Sequence, residues 1–178
     1  MRQLAPLVLC LAACASSGRP AGETTTESIR VADAGSTLQT TAVHTDGPMT
    51  YELTAPVDAL WKVLPAVYDS LGIEITRRDP ASHTLGNDGL RLRRRLGKVP
   101  LQRYLDCGSS QGGPNAESYD VHLTVRTRLQ PGAAGHSRLS TTVQAQARPI
   151  NFAGDWVRCT SKNQLEQRIA ELGTALVR

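Results

Sequence analysis

A chain of 178 residues with 40% hydrophobic content and a formal charge of +4 has apolar material for one modest domain and no more. Its four histidines, His44, His83, His122 and His136, stand singly, without the short paired spacing of zinc sites, so neither metal nor cofactor is expected.

The chain opens with Arg2, an apolar stretch from Leu4 to Leu11, and small residues ending at Cys14. This pattern predicts a cleavable export signal. A membrane span needs roughly 20 apolar residues, about twice what is present before Ser16-Ser17-Gly18-Arg19. Leu11-Ala12-Ala13-Cys14 resembles the lipobox of bacterial lipoproteins. That resemblance implies removal of residues 1–13 and acylation of Cys14, with palmitate-type chains holding the protein to a membrane. Ala15, standing where aspartate would follow the cysteine, resembles lipoproteins sent on to the outer membrane, facing the periplasm.

Losing residues 1–13 takes away Arg2 and Cys10, which leaves a charge of +3 and three cysteines. With Cys14 acylated, Cys107 and Cys159 remain as an even pair in an oxidising compartment and are expected to form a disulfide.

Residues 14–46 are rich in Ser, Thr, Ala and Gly and are expected to form the lipidated N-terminus and a tether, with a reach of roughly 30 Å. Within it, Ser28-Ile29-Arg30-Val31 and Thr37 to Val43 have the composition of edge strands. Residues 47–178 are expected to form a single α+β domain. Met49, Tyr51 and Leu53 alternate with polar residues as a strand. Pro56 then opens a helix whose apolar positions Val57, Leu60, Trp61, Leu64, Tyr68 and Leu71 recur every three or four residues until Gly72. Pro65 is expected to break that helix into two pieces or kink it, since it removes a donor and clashes with the carbonyl of Trp61.

Ile73 and Ile75 predict a second strand, Arg78-Asp79-Pro80-Ala81-Ser82 a turn, and His83 to Leu96 a third strand segment. Lys98 to Asp106 has the spacing of one or two helical turns, and Gly108 to Ser118 reads as a loop. Tyr119 to Leu129 alternates most clearly, and Pro131-Gly132-Ala133-Ala134-Gly135 turns it into a partner from Leu139 to Arg148, an antiparallel hairpin. Last comes a helix with capping-box spacing at Ser161 and Gln164 and a stripe of Leu165, Ile169, Leu172 and Leu176.

The order predicts an α+β fold, an antiparallel sheet with a broken N-terminal helix and a long C-terminal helix packed on one face. Ala55-Pro56-Val57-Asp58-Ala59-Leu60-Trp61 resembles the opening of START-like domains, which implies a helix-grip layout. Some lipoprotein accessory subunits of outer-membrane assembly machinery use domains of similar layout. The resemblance extends over about 130 residues in layout only, and the five strands expected here make a small sheet for wrapping a full cavity.

Gly108-Ser109-Ser110-Gln111-Gly112 matches the G-x-S-x-G pattern of a nucleophilic serine. That pattern requires a strand-to-helix elbow, and Gly113-Pro114-Asn115 opposes a helix there. His122 lacks any partner legible in the sequence, Asp/Glu pairs show no distinctive spacing, and no enzymatic activity is expected. Charge is more informative. Between Arg77 and Arg103 eight cations face only Asp79 and Asp88, and Arg91, Arg93, Arg94 and Arg95 are its densest part. If Arg91, Arg93 and Arg95 share one strand face, they form a row suited to phosphates or carboxylates. In an exported protein the reachable partners are anionic lipid or another envelope protein, with nucleic acid excluded by compartment. Trp61 and Trp156 are candidates to mark a binding cleft, but Trp61 falls on the apolar helix stripe and is read as core. The leading expectation is therefore a lipid-anchored, non-enzymatic interaction or scaffold module. The alternative is binding or transport of an apolar, lipid-like ligand between helix and sheet.

Overall fold

The computed structural model describes residues 23–33, 36–150 and 153–177. Cys14 and the predicted signal segment lie outside the described residues.

The fold is α+β, and its centre is the hairpin of β11 (Asp120–Pro131) and β12 (Ser137–Arg148), paired in unbroken register from Asp120 opposite Arg148 to Pro131 opposite Ser137. The sheet grows outward on both sides and is antiparallel throughout. On one flank β11 takes β5 (Thr84–Leu92), which takes β4 (Arg77–Asp79). On the other, the outer edge of β12 is shared. β3 (Met49–Leu53) pairs with Ser137–Thr141, and β13 (Val157–Ser161) pairs with Ala145–Ala147 and then with β8 (Leu105–Asp106). Cys107 directly follows β8 and Cys159 lies in β13, so the paired strands bring the two sulfurs together in a disulfide.

Two helices cover one sheet face. α1 (Val57–Leu71) and α3 (Gln164–Val177) pack against each other and against β3, β11 and β12. Leu60, Leu64, Val67, Leu165 and Ile169 from the helices meet Leu85, Val121, Leu123, Val125, Leu129 and Leu139 from the strands, each at most 2% exposed. Each such side chain contributes about 1.5–3 kcal/mol of burial free energy. Tyr68 spans the layer. Its hydroxyl bonds to Thr127 at 2.8 Å and donates to the Leu85 carbonyl at 3.3 Å, and Thr127 continues to Thr141 at 3.0 Å. Burial pushes the Tyr68 phenol far above its ordinary pKa. At Gly72, in the left-handed region at φ 73°, the chain leaves α1 so close to Gly97 that a Cβ there would lie 3.1 Å from the Gly97 Cα.

Several expectations are corrected. α1 is one helix across Pro65 rather than two pieces: Leu64, Val67 and Tyr68 are all buried around it, so core packing on both sides of the proline keeps the helix continuous. Residues 73–76 form no strand. The Ile73 N–H bonds back to Tyr68 in the helix cap, and the Glu74 carbonyl is taken by the Asn87 side chain, so regular pairing starts at Arg77. The two N-terminal stretches extend further than expected, as β1 (Glu23–Asp33) and β2 (Ser36–Asp46), and pair with each other in a two-stranded sheet of their own rather than as edges of the main one. The 108–118 loop holds a minimal ladder, β9 (Ser109–Ser110) with β10 (Gly113–Pro114), and a one-turn helix, α2 (Asn115–Ser118). The expected helical turn near residue 101 is a 3₁₀ turn, Leu101–Arg103.

At α3 the capping box does not form. Asn163 takes φ 61°, so Gln164 is the first helical residue, and Ser161 instead accepts the Asn163 N–H and donates to Glu166 at 2.7 Å. The buried stripe of α3 turns accordingly onto Ala170 and Gly173, where a Cβ would meet Leu60 at 3.6 Å, and Leu176 is 49% exposed.

Candidate functional site

Among the described residues no helix packs on the opposite sheet face, which is polar by strand alternation: Asp120, His122, Thr124, Arg126 and Arg128 on β11, and Ser140, Thr142, Gln144, Gln146 and Arg148 on β12. A bulge in β5 shapes its middle. Pairing slips between Leu123 and Val125, which lets Leu85, Leu90 and Leu92 all reach the helix side and leaves Asp88 and Gly89 on the open side. Asp88 there accepts from Arg126 at 2.7 Å and Arg77 at 2.8 Å, and these two hydrogen bonds hold its pKa below the usual carboxylate range.

Register assembles the basic residues at one end of this face. One cross-strand row reads Arg91, His122, Gln146, Arg158. In the next, Asp120 pairs with Arg148, and Arg93 donates to Asp120 through both Nε and a terminal nitrogen. The bonds from Arg93 lower the Asp120 pKa, with the charges of Arg148 and His122 adding to the effect. Trp156, at the entry to β13, packs its ring against His122 with centroids 4.5 Å apart, and the Arg148 guanidinium lies 5.0 Å from the indole centroid. Two shallow hollows flank His122. One of about 400 Å³ lies among Arg91, Arg93, Asp120 and Arg148, and another of about 420 Å³ runs toward Trp156, Arg158 and Ser161.

The sequence-predicted arginines divide. Arg91 and Arg93 lie on the open face, but β5 stops at Leu92, and Arg94, at φ 63°, turns the chain away. Arg94 therefore sits in the bend, and Arg95 opens the small ladder of β6 (Arg95–Leu96) and β7 (Val99–Pro100), off the main sheet. A row of Arg91, Arg93 and Arg95 does not form. Arg148, Arg158 and Trp156 replace the missing members. The alternation of β12 placed Arg148 opposite the apolar set, so it was open to inference, whereas β13 is five residues long and its one buried position is the disulfide cysteine.

Ser110 sits in β9, exposed, and α2 begins five residues later rather than directly after the serine, so the elbow that the G-x-S-x-G chemistry requires is not built. Trp61 is half-buried at the core margin, edge-on to His83 at 5.5 Å with Arg78 over its ring at 5.3 Å. An open apolar groove of about 480 Å³ lies outside the core, between β3 and α3, lined by Tyr51, Leu53, Ala170 and Thr174. In comparisons with known proteins no family model and no curated protein matches the chain.

Proposed function

We propose that the chain is a lipid-anchored, non-enzymatic protein of the cell envelope, held to the outer membrane by acyl chains on Cys14 and engaging an anionic partner through the open sheet face. The observation that carries this reading is the end of that face, where Arg91, Arg93, Arg148 and Arg158 stand around one carboxylate, Asp120. Guanidinium groups fixed on strands recognise phosphate and carboxylate geometry at small entropic cost. Asp120 is already engaged by Arg93, which leaves Arg91 and Arg148 to a ligand. The lipobox resemblance supports the anchor, and the disulfide accords with an exported domain. Binding of an apolar ligand between helix and sheet has less support, because Tyr68, Leu123, Leu165 and their neighbours fill that layer.

Two measurements test the reading. Cys14→Ala is expected to abolish lipid labelling and release the protein from the membrane fraction; normal labelling of that variant would remove the anchor. Crosslinking in intact cells, compared between wild type and Arg91→Gln/Arg148→Gln, is expected to lose its main product in the double variant. Unchanged products would remove the open face from the interaction.

A further inference from the structure

β3 has a partner on one side only. Met49–Leu53 pairs with Ser137–Thr141 of β12, and among the described residues no strand pairs with its outer edge. In an antiparallel strand every second residue turns its N–H and C=O away from the partner, so β3 presents a row of unpaired donors and acceptors about 17 Å long. Such an edge is a template for another strand unless it is blunted. This one carries neither lysine nor proline, and its one charged residue, Glu52, is engaged by Arg138 of β12.

The apolar groove of about 480 Å³ lies beside that strand. Tyr51 and Leu53, which alternation places on the same side of the sheet, form its strand wall, and Ala170, Thr174 and Ala175 of α3 form its helix wall. The small side chains of α3 leave the space between the two elements open. Many apolar ligands would fit such a groove, but a row of backbone donors and acceptors next to it is satisfied only by a second backbone in extended form.

We propose that β3 and α3 form a peptide-docking groove, in which an extended segment of a partner protein adds to the free edge of β3. Its alternate apolar side chains enter between Tyr51, Leu53 and the small residues of α3, and a lysine or arginine beside them sits on Glu171. Charge supports the last point. Glu171 stands on the lip of the groove, and its cationic neighbour Arg168 lies toward the other flank of α3, beside Tyr104. Burial raises the pKa of the Tyr51 phenol, and the charges of Glu166 and Glu171 raise it further, so the field inside the groove is negative. In strand addition the backbone bonds supply affinity and the groove selects side chains. This surface is separate from Arg91 and Arg148, so the inference goes beyond the anion-binding reading and does not depend on it.

The test uses the processed chain, residues 14–178, with Cys14→Ser so that no acyl chain contributes. Short peptides randomised at every position are displayed on phage and selected against it. The enriched sequences are expected to carry apolar residues at every second position and a flanking lysine or arginine. A synthetic copy of the most enriched peptide is then titrated by calorimetry, and amide NMR shifts at Met49–Leu53 locate it. Backbone N-methylation at the peptide residues that face β3 should weaken binding about tenfold or more, and at the intervening residues little. Ala175→Trp, which fills the groove from an exposed position on α3, should weaken it at least about tenfold, and Glu171→Gln about threefold. Arg91→Gln/Arg148→Gln should leave it unchanged, so loss of the anionic partner and loss of the peptide are read separately. Circular dichroism of each variant verifies the fold.

Failure to enrich any sequence overturns the proposal, as does binding that Ala175→Trp leaves intact. Equal tolerance of N-methylation at every position also overturns it, since the groove would then hold an apolar ligand without backbone pairing. A concentration-dependent dimer that Ala175→Trp disrupts, with no peptide bound, would assign the edge to a second copy of this chain instead.

Discussion

Glu166 stands in the first turn of α3, only 2% exposed, with one carboxylate oxygen on the Ser161 hydroxyl and the other without a hydrogen-bond partner among the described residues. Burial raises its pKa, and the Ser161 bond opposes that shift without cancelling it. The folded protein therefore favours the protonated acid. The stability tied to this group is full below the ordinary carboxyl pKa and is lost as pH rises through the elevated folded value. Glu166→Gln keeps an acceptor for Ser161 and carries no charge. The melting temperature of the wild type is expected to fall relative to this variant as pH rises through that window. Asp88 and Asp120, whose lowered pKa values act in the opposite direction, are common to both proteins and cancel in the difference. Thermal melts from pH 4 to 8 check this, and parallel curves would contradict it.

Among the elements, α1 shows tertiary packing overriding a local breaker. Pro65 supplies no N–H to the carbonyl of Trp61, and a proline inside a helix costs roughly 3 kcal/mol. The helix nonetheless persists over Val57–Leu71 because Leu60, Leu64, Val67, Tyr68 and Leu71 are all buried on one face. The missing hydrogen bond is consequently a local deficit in an otherwise continuous helix. Pro65→Ala is expected to restore it and to stabilise the domain by about 1–2 kcal/mol, less than the full helical cost because the unfolded chain gains freedom as well. Urea unfolding measures the change, and a lower midpoint would mean that the pyrrolidine ring packs better than it pairs. At β5 a similar competition runs the other way: the bulge gives up a regular ladder step so that apolar residues on both sides of it reach the helices, and Asp88, left on the open side, joins Arg77 and Arg126.

For the whole molecule, the disulfide is the long-range constraint that local elements cannot provide. It joins positions 52 residues apart and ties the 3₁₀ turn and β8 to the strand that leads into α3. In the chain-entropy treatment a loop of this length contributes about 4 kcal/mol by restricting the unfolded state. Replacing both cysteines by serine is expected to lower the melting temperature by roughly 10 °C or more, with the β12 to β13 pairing loosened first. Calorimetry of the variant, with hydrogen exchange at Val157–Ser161, tests both parts. An unchanged melting temperature would mean that packing of α3 alone sets this flank.

Period-two alternation was enough to define β11 and β12, including which residues of each turn from the helices, because one face is buried and a slip of one residue would expose Val121, Leu123 and Val125. The apolar stripe of α1, the start of that of α3 at Leu165 and Ile169, and the pairing of Cys107 with Cys159 were legible for comparable reasons: a helix must bury one side, and two thiols in one domain have each other as partner. What the sequence could not decide is which short segments become strands and which arginines meet. β13 and β8 are too brief to carry a period of their own and exist because β12 offers an edge and the disulfide holds them there. Arg91, Arg148 and Arg158 are far apart in the chain and become neighbours only through the registers of β5, β11, β12 and β13, whereas Arg94 and Arg95, adjacent in sequence to Arg93, are carried off the sheet by one residue at positive φ.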